Sequence, residues 1–328
     1  FDDPTVDAVV ETLGGLDPAY SFGLRALEAG KHFITANKAM VAAHGLELAA
    51  LAREKGTAFL FSAACGGGVP FLHNLALSAE TDRIEAVSGI LNGTTNYMLD
   101  AMQRRALSYA DALREAQSLG YAEADPTADV SGLDALRKIQ LACAVAFGIL
   151  PHDGMLCEGI EHFTAADTED IQSRGLVCRL IASGRRAENT VSAYVEPVLF
   201  PRAAAESSVF VNNNMARYMG GRCGSIVLMG QGAGRFPTAE NVVQDCLTVL
   251  SGKRGFYTDR AVSMFLTSGE AHPYYVRTGA PDAFLRGRTA ETWDDGAVVT
   301  GAVDVYEMLA WAKAQREKDP DVFIAGIR

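Results

Sequence analysis

The first sixty residues alternate short apolar runs with longer segments that carry apolar residues at helical spacing. The apolar runs predict strands at 6–10, 32–35 and 57–62. The segments between them predict helices over about 17–29 and 39–55, and a glycine follows each helix. Because this order produces a parallel sheet with right-handed crossovers, the region predicts one half of a doubly wound nucleotide-binding sheet.

After residue 70 the pattern changes to a mixture of strands and helices. A strand is predicted at 83–90, followed by a polar turn at Asn92–Asn96 that leads into a helix. Further helices are predicted at 109–119 and 133–147, and further strands at 192–200, 208–212 and 224–229. Short strands separated by helices are predicted near the end, at 274–277, 297–300 and 322–324. The predicted fold class is therefore α/β, with a partial Rossmann-type parallel sheet whose N-terminal half is absent, an α+β domain and a small C-terminal α+β segment.

The composition is that of an ordinary globular protein. The 328 residues are 48% hydrophobic and 21% charged, which provides for a large core and two or three domains. The formal charge of −11 argues against nucleic acid as a partner, because that binding needs clustered lysine and arginine. No apolar run reaches the roughly 18 residues of a membrane helix, so no membrane partner is expected either.

The cysteines and histidines are scattered along the chain. The six cysteines form no C-x-x-C pair, and the six histidines show no H-x-x-x-H spacing. This distribution indicates a reducing cytoplasm and predicts no zinc site. The sequence opens with Phe1 in place of a starting Met, so we expect the first residues of the native protein to be absent from it.

The segment from Gly120 to Lys138 gathers acids, a tyrosine and a lysine into a loop and the start of a helix. Asp134 and Lys138 are four residues apart, so they project from one helix face. A lysine held near carboxylates can deliver or accept a proton at a substrate oxygen. A structural explanation is also open, because Ser131 and Asp134 match a capping box and the pair would then be an exposed ion pair. Spacing alone slightly favours the structural explanation.

Two glycine-rich loops and one lysine are further candidates. The loop Cys65–Val69 follows a strand and would let a ligand approach the backbone, although a tight turn explains its spacing better. Lys38 follows a strand of the parallel sheet, where ligands bind, but a solvated lysine is an equal alternative. The glycines of Gly230–Gly234 precede an apolar helix and offer an anion site, although glycine turns before helices are common.

Four blocks together resemble the homoserine dehydrogenase family. They are Val9–Gly15, Thr35–Val41, Gly89–Met98 and Gly120–Lys138, and the resemblance covers about residues 6–250 in order. It implies NAD(P)-dependent interconversion of L-aspartate 4-semialdehyde and L-homoserine. That reaction is a branch-point step towards threonine, methionine and isoleucine.

The resemblance also implies roles for individual residues. Lys138 would donate a proton to the carbonyl oxygen as hydride arrives from the nicotinamide of NADP or NAD, Asp134 would orient it, and Lys38 would lie between cofactor and substrate. Glu123 and Asp129 would hold the substrate's amino group and hydroxyl. The rest of the substrate pocket would be lined by Tyr121, Gly93 and Thr94. The dinucleotide would be contacted by Leu13, Gly14, Lys38 and Gly234.

A monovalent cation, Na⁺ or K⁺, is implied as well. Its ligands would be the backbone carbonyls of Cys65, Gly67 and Val69. The sequence departs from the family at Ser62, where a family acid contributes a side-chain oxygen. A second departure is the missing G-x-G-x-x-G near the N-terminus. Either a preceding segment that supplies this loop is absent from the sequence or dinucleotide binding has been lost, and the first is favoured because the sheet would otherwise have too few strands.

The resemblance further implies a domain organisation. Residues 1–64, completed by about 230–253, would form part of the dinucleotide-binding domain, and 65–229 the substrate-binding, catalytic and dimerisation domain. Residues 256–328 would form an ACT-like regulatory segment. The protein would be a cytoplasmic homodimer or homotetramer. The alternative hypothesis is a non-catalytic amino-acid-binding or regulatory relative that lacks a usable dinucleotide site. A dehydrogenase with Cys65 as nucleophile is disfavoured because no histidine partner is evident.

Overall fold

The computed structural model describes residues 1–151, 154–188, 190–252, 255–256, 265–266, 269–293 and 296–328. Its N-terminal region is a parallel sheet with crossover helices. The strands, in spatial order, are β1 (Ala8–Glu11), β2 (His32–Thr35) and β3 (Phe59–Leu60). The helices are α1 (Asp17–Glu28) and α2 (Lys38–Lys55). The predicted alternation of strands and helices is confirmed.

Local sequence explains how the two crossover helices begin and end. Pro18 stands in the first turn of α1, where its missing N–H costs no helical hydrogen bond. Asn37 caps α2 by accepting a hydrogen bond from the Met40 N–H at 3.1 Å. Gly56 follows α2 with a φ of 67°, a conformation that glycine adopts readily. The start of α2 is therefore fixed after the carboxyl end of β2, where parallel sheets bind ligands.

The central region forms a large mixed sheet with helices packed against it. Its strands are β4 (Ile84–Ile90), β5 (Leu156–Cys157), β6 (Leu176–Ala187), β7 (Thr190–Pro201), β8 (Asn213–Gly220), β9 (Gly224–Gln231) and β10 (Phe265–Leu266). The helices are α3 (Phe71–Thr81), α4 (Gly93–Arg105), α5 (Tyr109–Ser118), α6 (Thr127–Val130), α7 (Leu133–Phe147), α8 (Ala165–Ser173) and α9 (Arg235–Leu250). The main strands run antiparallel in the order β7-β6-β4-β8-β9. Helix α7 packs on β4, β6 and β7, whereas α9 packs against β2 and the short 3-10 turn Ser62–Ala64.

The C-terminal strands continue the central sheet. The elements are β11 (Ala271–His272), β12 (Tyr274–Arg277), α10 (Ala283–Arg286), β13 (Thr289–Thr292), β14 (Val298–Thr300), β15 (Val303–Asp304), α11 (Val305–Gln315) and β16 (Phe323–Ile327). Apart from β11 and β15, which pair with each other, they form a β-α-β-β-α-β unit with the order β13-β14-β12-β16. Strand β16 runs parallel to β7 and joins this unit to the rest. Parts of the predicted C-terminal segment, at 257–264, 267–268 and 294–295, lie outside the described residues.

The predicted strand at 208–212 is wrong. Residues 209–212 form a loop, and the strand β8 begins only at Asn213. Two buried side chains hold the loop. Arg179 donates to the Val209 carbonyl oxygen, and Asn96 donates to that oxygen and to the one of Val211. The apolar run at 209–211 resembles a strand in the sequence. The donors that fix it as a loop lie far away along the chain and leave no local signal.

Two other elements differ from the sequence prediction. The polar turn at Asn92–Asn96 is itself the first turn of α4, which begins at Gly93. Strand β6 was not predicted, because most of it is buried on both faces and its sequence lacks a simple alternation of polar and apolar residues. Among the described residues, no helix has both the length and the hydrophobicity needed to cross a bilayer.

Candidate active site

The candidate site forms where the start of α7 meets the start of α4. Asn92 caps α4 by accepting a hydrogen bond from the Thr95 N–H at 2.8 Å. Helix α7 follows Gly132, which has a left-handed φ of 82°. A Cβ at Gly132 would lie 2.7 Å from the Cys157 sulfur, so this start of α7 requires glycine. The two turns bring Asn92 to Asp134, in the first turn of α7.

Asp134 lies between two lysines. Its Oδ2 is 2.7 Å from the Nζ of Lys138, and its Oδ1 is 2.7 Å from the Nζ of Lys38. Lys138 also donates to the Leu91 carbonyl oxygen at 2.6 Å. Asp134 and Lys138 are 6% and 8% exposed, whereas the Lys38 side chain is 35% exposed. The carboxylate therefore links α2 of the parallel sheet to α7 of the central region.

Asp134 and Lys138 hold each other in their charged forms. Burial raises the pKa of Asp134, but the ammonium groups of Lys138 and Lys38 outweigh it and hold the pKa well below 3.8. Burial lowers the pKa of Lys138, but Asp134 outweighs it and raises the pKa above 10.5. At neutral pH Lys138 is therefore an ammonium group. Contacts within the described chain engage two of its three N–H groups, and the third can donate to a ligand.

The structural explanation that the sequence left open for Asp134 is wrong. Gly132 is the residue before α7, and no side chain of the described residues caps this helix, so Ser131 and Asp134 form no capping box. The ion pair of Asp134 and Lys138 is also buried, not exposed. Lys38 lies against Asp134 and is not simply solvated. Sequence spacing missed this outcome because two partners of Asp134, Lys38 and Asn92, are distant from it in the sequence, by 96 and 42 positions.

Asn92 joins Asp134 to a second acid. Its Nδ2 donates to the Oδ1 of Asp129 at 2.7 Å and to the Oδ2 of Asp134 at 2.9 Å. Thr94 donates to the Oδ2 of Asp129 at 3.2 Å and to the Tyr121 carbonyl oxygen. Burial raises the pKa of Asp129, with Asn92 acting in the opposite direction. Sequence reasoning placed Asn92 in a motif but gave it no role, although an asparagine before a helix is a strong capping signal.

The other predicted substrate residues, Tyr121, Gly93 and Glu123, differ in how they contact the surrounding structure. The Tyr121 ring packs edge-on to the Tyr97 ring, with centroids 5.1 Å apart. Gly93 lies so close to the loop before β8 that a Cβ would be 2.7 Å from the Asn212 carbonyl oxygen. Glu123 is exposed, and its carboxylate makes none of the hydrogen bonds or ion pairs found among the described residues. The structure therefore does not bring the Glu123 carboxylate into the network.

The predicted cofactor loop after β1 is shaped by a buried acid. The Oε1 of Glu11 accepts hydrogen bonds from the N–H groups of Leu13 at 2.6 Å and Gly14 at 3.2 Å. Its Oε2 accepts from the Thr35 hydroxyl at 2.6 Å. Leu13 is 70% exposed, and the space beside Gly14 is open. Sequence reasoning did not single out Glu11, although a carboxylate at the end of an apolar strand is unusual.

The glycine-rich loop packs against the loop before α9. A Cβ at Gly67 would clash with the Gly232 carbonyl oxygen, so the two backbones touch. Gly234, with a φ of 119°, stands directly before α9.

Burial raises the pKa of the Cys65 thiol to about 12. A thiol with such a pKa is a poor nucleophile at neutral pH, which disfavours Cys65 as a catalytic nucleophile.

The residues of the glycine-rich loop do not fit the expected cation. The Nδ2 of Asn241, in α9, donates to the carbonyl oxygens of Gly67 and Val69, in the second case at 3.2 Å. An N–H donor thus points at two of the three carbonyls that would be the ligands. Ser62, at the position of the family acid, donates its hydroxyl to Asp245 at 2.6 Å. Among the described residues, no cluster of histidine, cysteine and acidic side chains suits a metal ion either.

The arrangement around Asp134 can transfer a proton to an oxygen that gains negative charge. Lys138 has the proton, a fixed carboxylate partner and one N–H group for the ligand. Asp129 and the exposed side of Lys38 add charges of opposite sign nearby, which suits a ligand carrying both an amino group and a polar oxygen. The exposed loop at Leu13–Gly14 follows β1, and Lys38 follows β2 of the same parallel sheet.

Family comparisons match most of the chain. Residues 1–62 match the family model described as the NAD binding domain of homoserine dehydrogenase. Residues 70–247 match the model described as homoserine dehydrogenase.

Individual relatives and solved structures show the same likeness. The chain is 41% identical over 248 residues to the homoserine dehydrogenase of Pseudomonas aeruginosa, an alignment that covers 75% of this chain and 57% of that protein. The structure of a homoserine dehydrogenase from Thiobacillus denitrificans superposes with a TM-score of 0.88 and 31% identity, over 100% of this chain and 83% of that chain. A hyperthermophilic archaeal homoserine dehydrogenase mutant in complex with NADPH superposes with a TM-score of 0.64 and 25% identity, over 74% of this chain and 71% of that one.

Proposed function

Since this chain belongs to the homoserine dehydrogenase family, we propose that it carries out the NAD(P)-dependent interconversion of L-aspartate 4-semialdehyde and L-homoserine. The chain spans about 57% of the length of the curated relative cited above, so the activity of the whole protein is part of the proposal. One observation carries it most directly, which is the buried ammonium of Lys138 held by Asp134 and the Leu91 carbonyl oxygen.

Lys138 is the proposed proton donor. In the direction of aldehyde reduction, the carbonyl oxygen gains negative charge, and the free N–H group of Lys138 neutralises it by giving up a proton. Asp134 keeps the ammonium charged and oriented before the reaction. After the transfer, Lys38 keeps the carboxylate paired with a cation, so no uncompensated buried charge is left.

The acids and the capped start of α4 are the proposed substrate-binding groups. Asp129, fixed by Asn92 and Thr94, lies on the same network as the proton donor and would bind the substrate's hydroxyl or ammonium group. Tyr121 and Gly93 would line the pocket. Glu123 is exposed in this structure, so its contact with the substrate amino group would require the ligand or a rearranged loop to bring it inward.

The proposed cofactor is NADP or NAD, bound along the parallel sheet. When bound, it supplies or accepts the hydride. The loop of Leu13 and Gly14, shaped by Glu11, and the start of α9 at Gly234 are the proposed contacts. The NAD-binding family match over residues 1–62 and the NADPH complex of the archaeal relative support this choice.

The domain and assembly assignments also belong to the proposal. We assign dinucleotide binding to 1–64 with about 230–253, and substrate binding and dimerisation to 65–229. The β-α-β-β-α-β topology of the C-terminal unit supports an ACT-like regulatory role for 256–328. A homodimer or homotetramer in the cytoplasm is proposed, and the six free thiols fit a reducing compartment.

The proposal is tested by following NADPH and NADH oxidation after L-aspartate 4-semialdehyde is added to the protein. Lys138→Ala is expected to lower kcat by about 10²–10⁴-fold, because the proton donor for the carbonyl oxygen is removed. Circular dichroism and size-exclusion chromatography check that the variant is folded. Arg114→Ala, which removes an exposed cation from α5, is the control and should keep wild-type turnover.

Two results would contradict the proposal. Turnover of folded Lys138→Ala at the wild-type rate would remove the assigned proton donor. Absence of both saturable dinucleotide binding and turnover of the semialdehyde would favour the non-catalytic, amino-acid-binding or regulatory relative that lacks a usable dinucleotide site, although the family comparisons do not favour it.

A further inference from the structure

The glycine-rich loop is tied to α9 by one buried asparagine. Asn241 is 1% exposed, and its Nδ2 donates to the Gly67 carbonyl oxygen and, at 3.2 Å, to the Val69 carbonyl oxygen. These oxygens belong to the backbone that the family resemblance assigned to a monovalent cation. The carbonyl of Val69 also accepts the Phe71 N–H at 2.7 Å. Both lone pairs of that oxygen are therefore engaged by N–H donors.

We propose that the side-chain amide of Asn241 takes the place of a monovalent cation in this protein, so that the glycine-rich loop is held without Na⁺ or K⁺. The loop is linked to α9 by neutral hydrogen bonds, where a cation would hold the carbonyls by charge. This inference goes beyond the proposed function and does not rest on it.

The chemistry of the two ligand types makes them mutually exclusive. A hard cation is held by oxygen atoms whose lone pairs converge on it. An N–H group carries partial positive charge and competes for the same lone pairs, so a cation beside it would be repelled and would lose ligands. With Asn241 in this position, an ion at Gly67 and Val69 would have to displace a buried hydrogen-bonded amide.

Among the described residues, the hydrogen bonds of the nearby acid Asp245 go to Ser62 and not to the glycine-rich loop. Ser62 directs its hydroxyl and its N–H to Asp245, at 2.6 and 2.9 Å, and both bonds lead towards α9. Asp245 is 0% exposed and makes no ion pair with the described residues. Burial raises its pKa to about 6, which is the behaviour of a buried carboxyl without a nearby cation. The stretch from Ser62 to Val69 is therefore joined to α9 through two neutral side chains, Ser62 and Asn241.

The opposite amide orientation is the arrangement that the test must exclude. With Oδ1 turned towards the loop, three oxygens would face one another, and only a cation between them would make that favourable. The two orientations therefore predict opposite responses to Na⁺ and K⁺.

The first measurement is the thermal unfolding midpoint of the wild-type protein in NaCl, KCl and choline chloride at equal ionic strength. The three midpoints are expected to agree within about 1 °C, because no ion binds the folded state selectively. A midpoint that rises saturably with NaCl or KCl relative to choline chloride would overturn the proposal, since it would show a cation site in the presence of Asn241.

Three substitutions at position 241 separate the amide from an ion. Asn241→Ala opens space and frees the two carbonyls, and Asn241→Asp adds a negative charge beside them. Both are expected to unfold about 2–4 °C below wild type in choline chloride and to recover, saturably, in NaCl or KCl. Asn241→Leu keeps the side-chain volume without a donor, so its lower midpoint should not respond to either cation.

Gln244→Ala is the matched control, because it removes an exposed amide from the same helix. Its midpoint should stay close to wild type in all three salts. If the Ala and Asp variants gain no cation response, the amide is only a cross-link and the proposal is wrong. None of these measurements uses dinucleotide or semialdehyde, so their outcome is independent of whether the proposed enzyme activity is found.

Discussion

Two buried aspartates on neighbouring parts of the molecule behave in opposite ways. Asp134 on α7 is 6% exposed and Asp245 on α9 is 0% exposed, so both lose nearly all contact with water. The pKa of Asp134 is held well below 3.8, whereas the pKa of Asp245 is raised to about 6. The two carboxyl groups are similarly buried, so the difference between their pKa values comes from their partners.

The partners of the two acids explain the contrast. Asp134 pairs with the ammonium groups of Lys138 and Lys38, while Asp245 accepts hydrogen bonds from the hydroxyl and N–H of Ser62. Neutral donors only partly offset the burial of a carboxylate, whereas two cations reverse its effect. The cluster of charged groups is thus suited to proton transfer, and the region around Asp245 to holding a loop in place.

The largest expected effect comes from removing the charge of Asp134. Asp134→Asn should lower the free energy of unfolding by about 3–5 kcal/mol at pH 7, because it leaves the buried ammonium of Lys138 without its counter-charge. The folded-state pKa of Asp134 lies below its unfolded value of 3.8, so its stabilisation is complete above about pH 4 and declines below that pH. Urea unfolding from pH 3 to 8 measures this difference between wild type and variant.

Asp111→Asn is the control for this experiment. Asp111 forms an exposed pair with Arg114 on α5, and its loss should change the free energy of unfolding by less than about 1 kcal/mol. An Asp134→Asn variant as stable as wild type at pH 7 would show that the two lysines do not depend on this carboxylate.

The second effect has the opposite sign and concerns Asp245. Its folded-state pKa of about 6 exceeds the unfolded value of 3.8, so stability falls as the pH rises from about 4 to 6. Asp245→Asn keeps partners for Ser62 and removes the ionisation. The variant should match wild type near pH 4 and be more stable by about 3 kcal/mol at pH 7.

Unfolding in urea at pH 4, 5, 6 and 7 checks this prediction. Asp134→Asn serves as the comparison, because its stability difference from wild type should stay constant between pH 5 and 7. Loss of stability in Asp245→Asn at pH 7 would contradict the idea that this carboxyl lacks a cationic partner.

The smallest effect concerns the more exposed of the two lysines on Asp134. Lys38→Ala should lower the free energy of unfolding by about 1 kcal/mol, because Lys138 still pairs with the carboxylate and the Lys38 side chain is 35% exposed. Lys55→Ala is matched in exposure and lies at the other end of α2, where it pairs with Glu54. Lys55→Ala should lower the free energy of unfolding by less than Lys38→Ala does. Equal losses of unfolding free energy in the two variants would show that Lys38 is an ordinary surface lysine.

Much of the fold was predictable because its signals are local. The alternation of strands and helices at the N-terminus follows from apolar runs and from helix ends such as Pro18 and Gly56. The helix at Leu133–Phe147 was predicted within its observed bounds. Strand β6 and the loop before β8 were not predicted, because burial on both faces and distant donors such as Arg179 decide them.

The candidate site was predictable in part. Lys138 and Asp134 were singled out by their spacing, and Lys38 by its place after a strand of the parallel sheet. The resemblance added roles for Asp129 and Thr94, and the structure brings all five residues into one network. Glu11, Asn92 and Asn241 were not identified as functional. Each has at least one partner that is distant in the sequence, namely Thr35 for Glu11, Asp134 for Asn92 and Gly67 for Asn241.

The amino-acid sequence by itself determined the alternating strands and helices of the N-terminal region and the extent of α7. Those properties depend on periodicity, caps and glycine conformations within a few residues. Only the tertiary structure decided that Asp134 holds two ammonium groups and that an amide holds the glycine-rich loop. Electrostatic energies depend on distances between side chains and on burial, and both are set by packing between segments that are far apart in the chain.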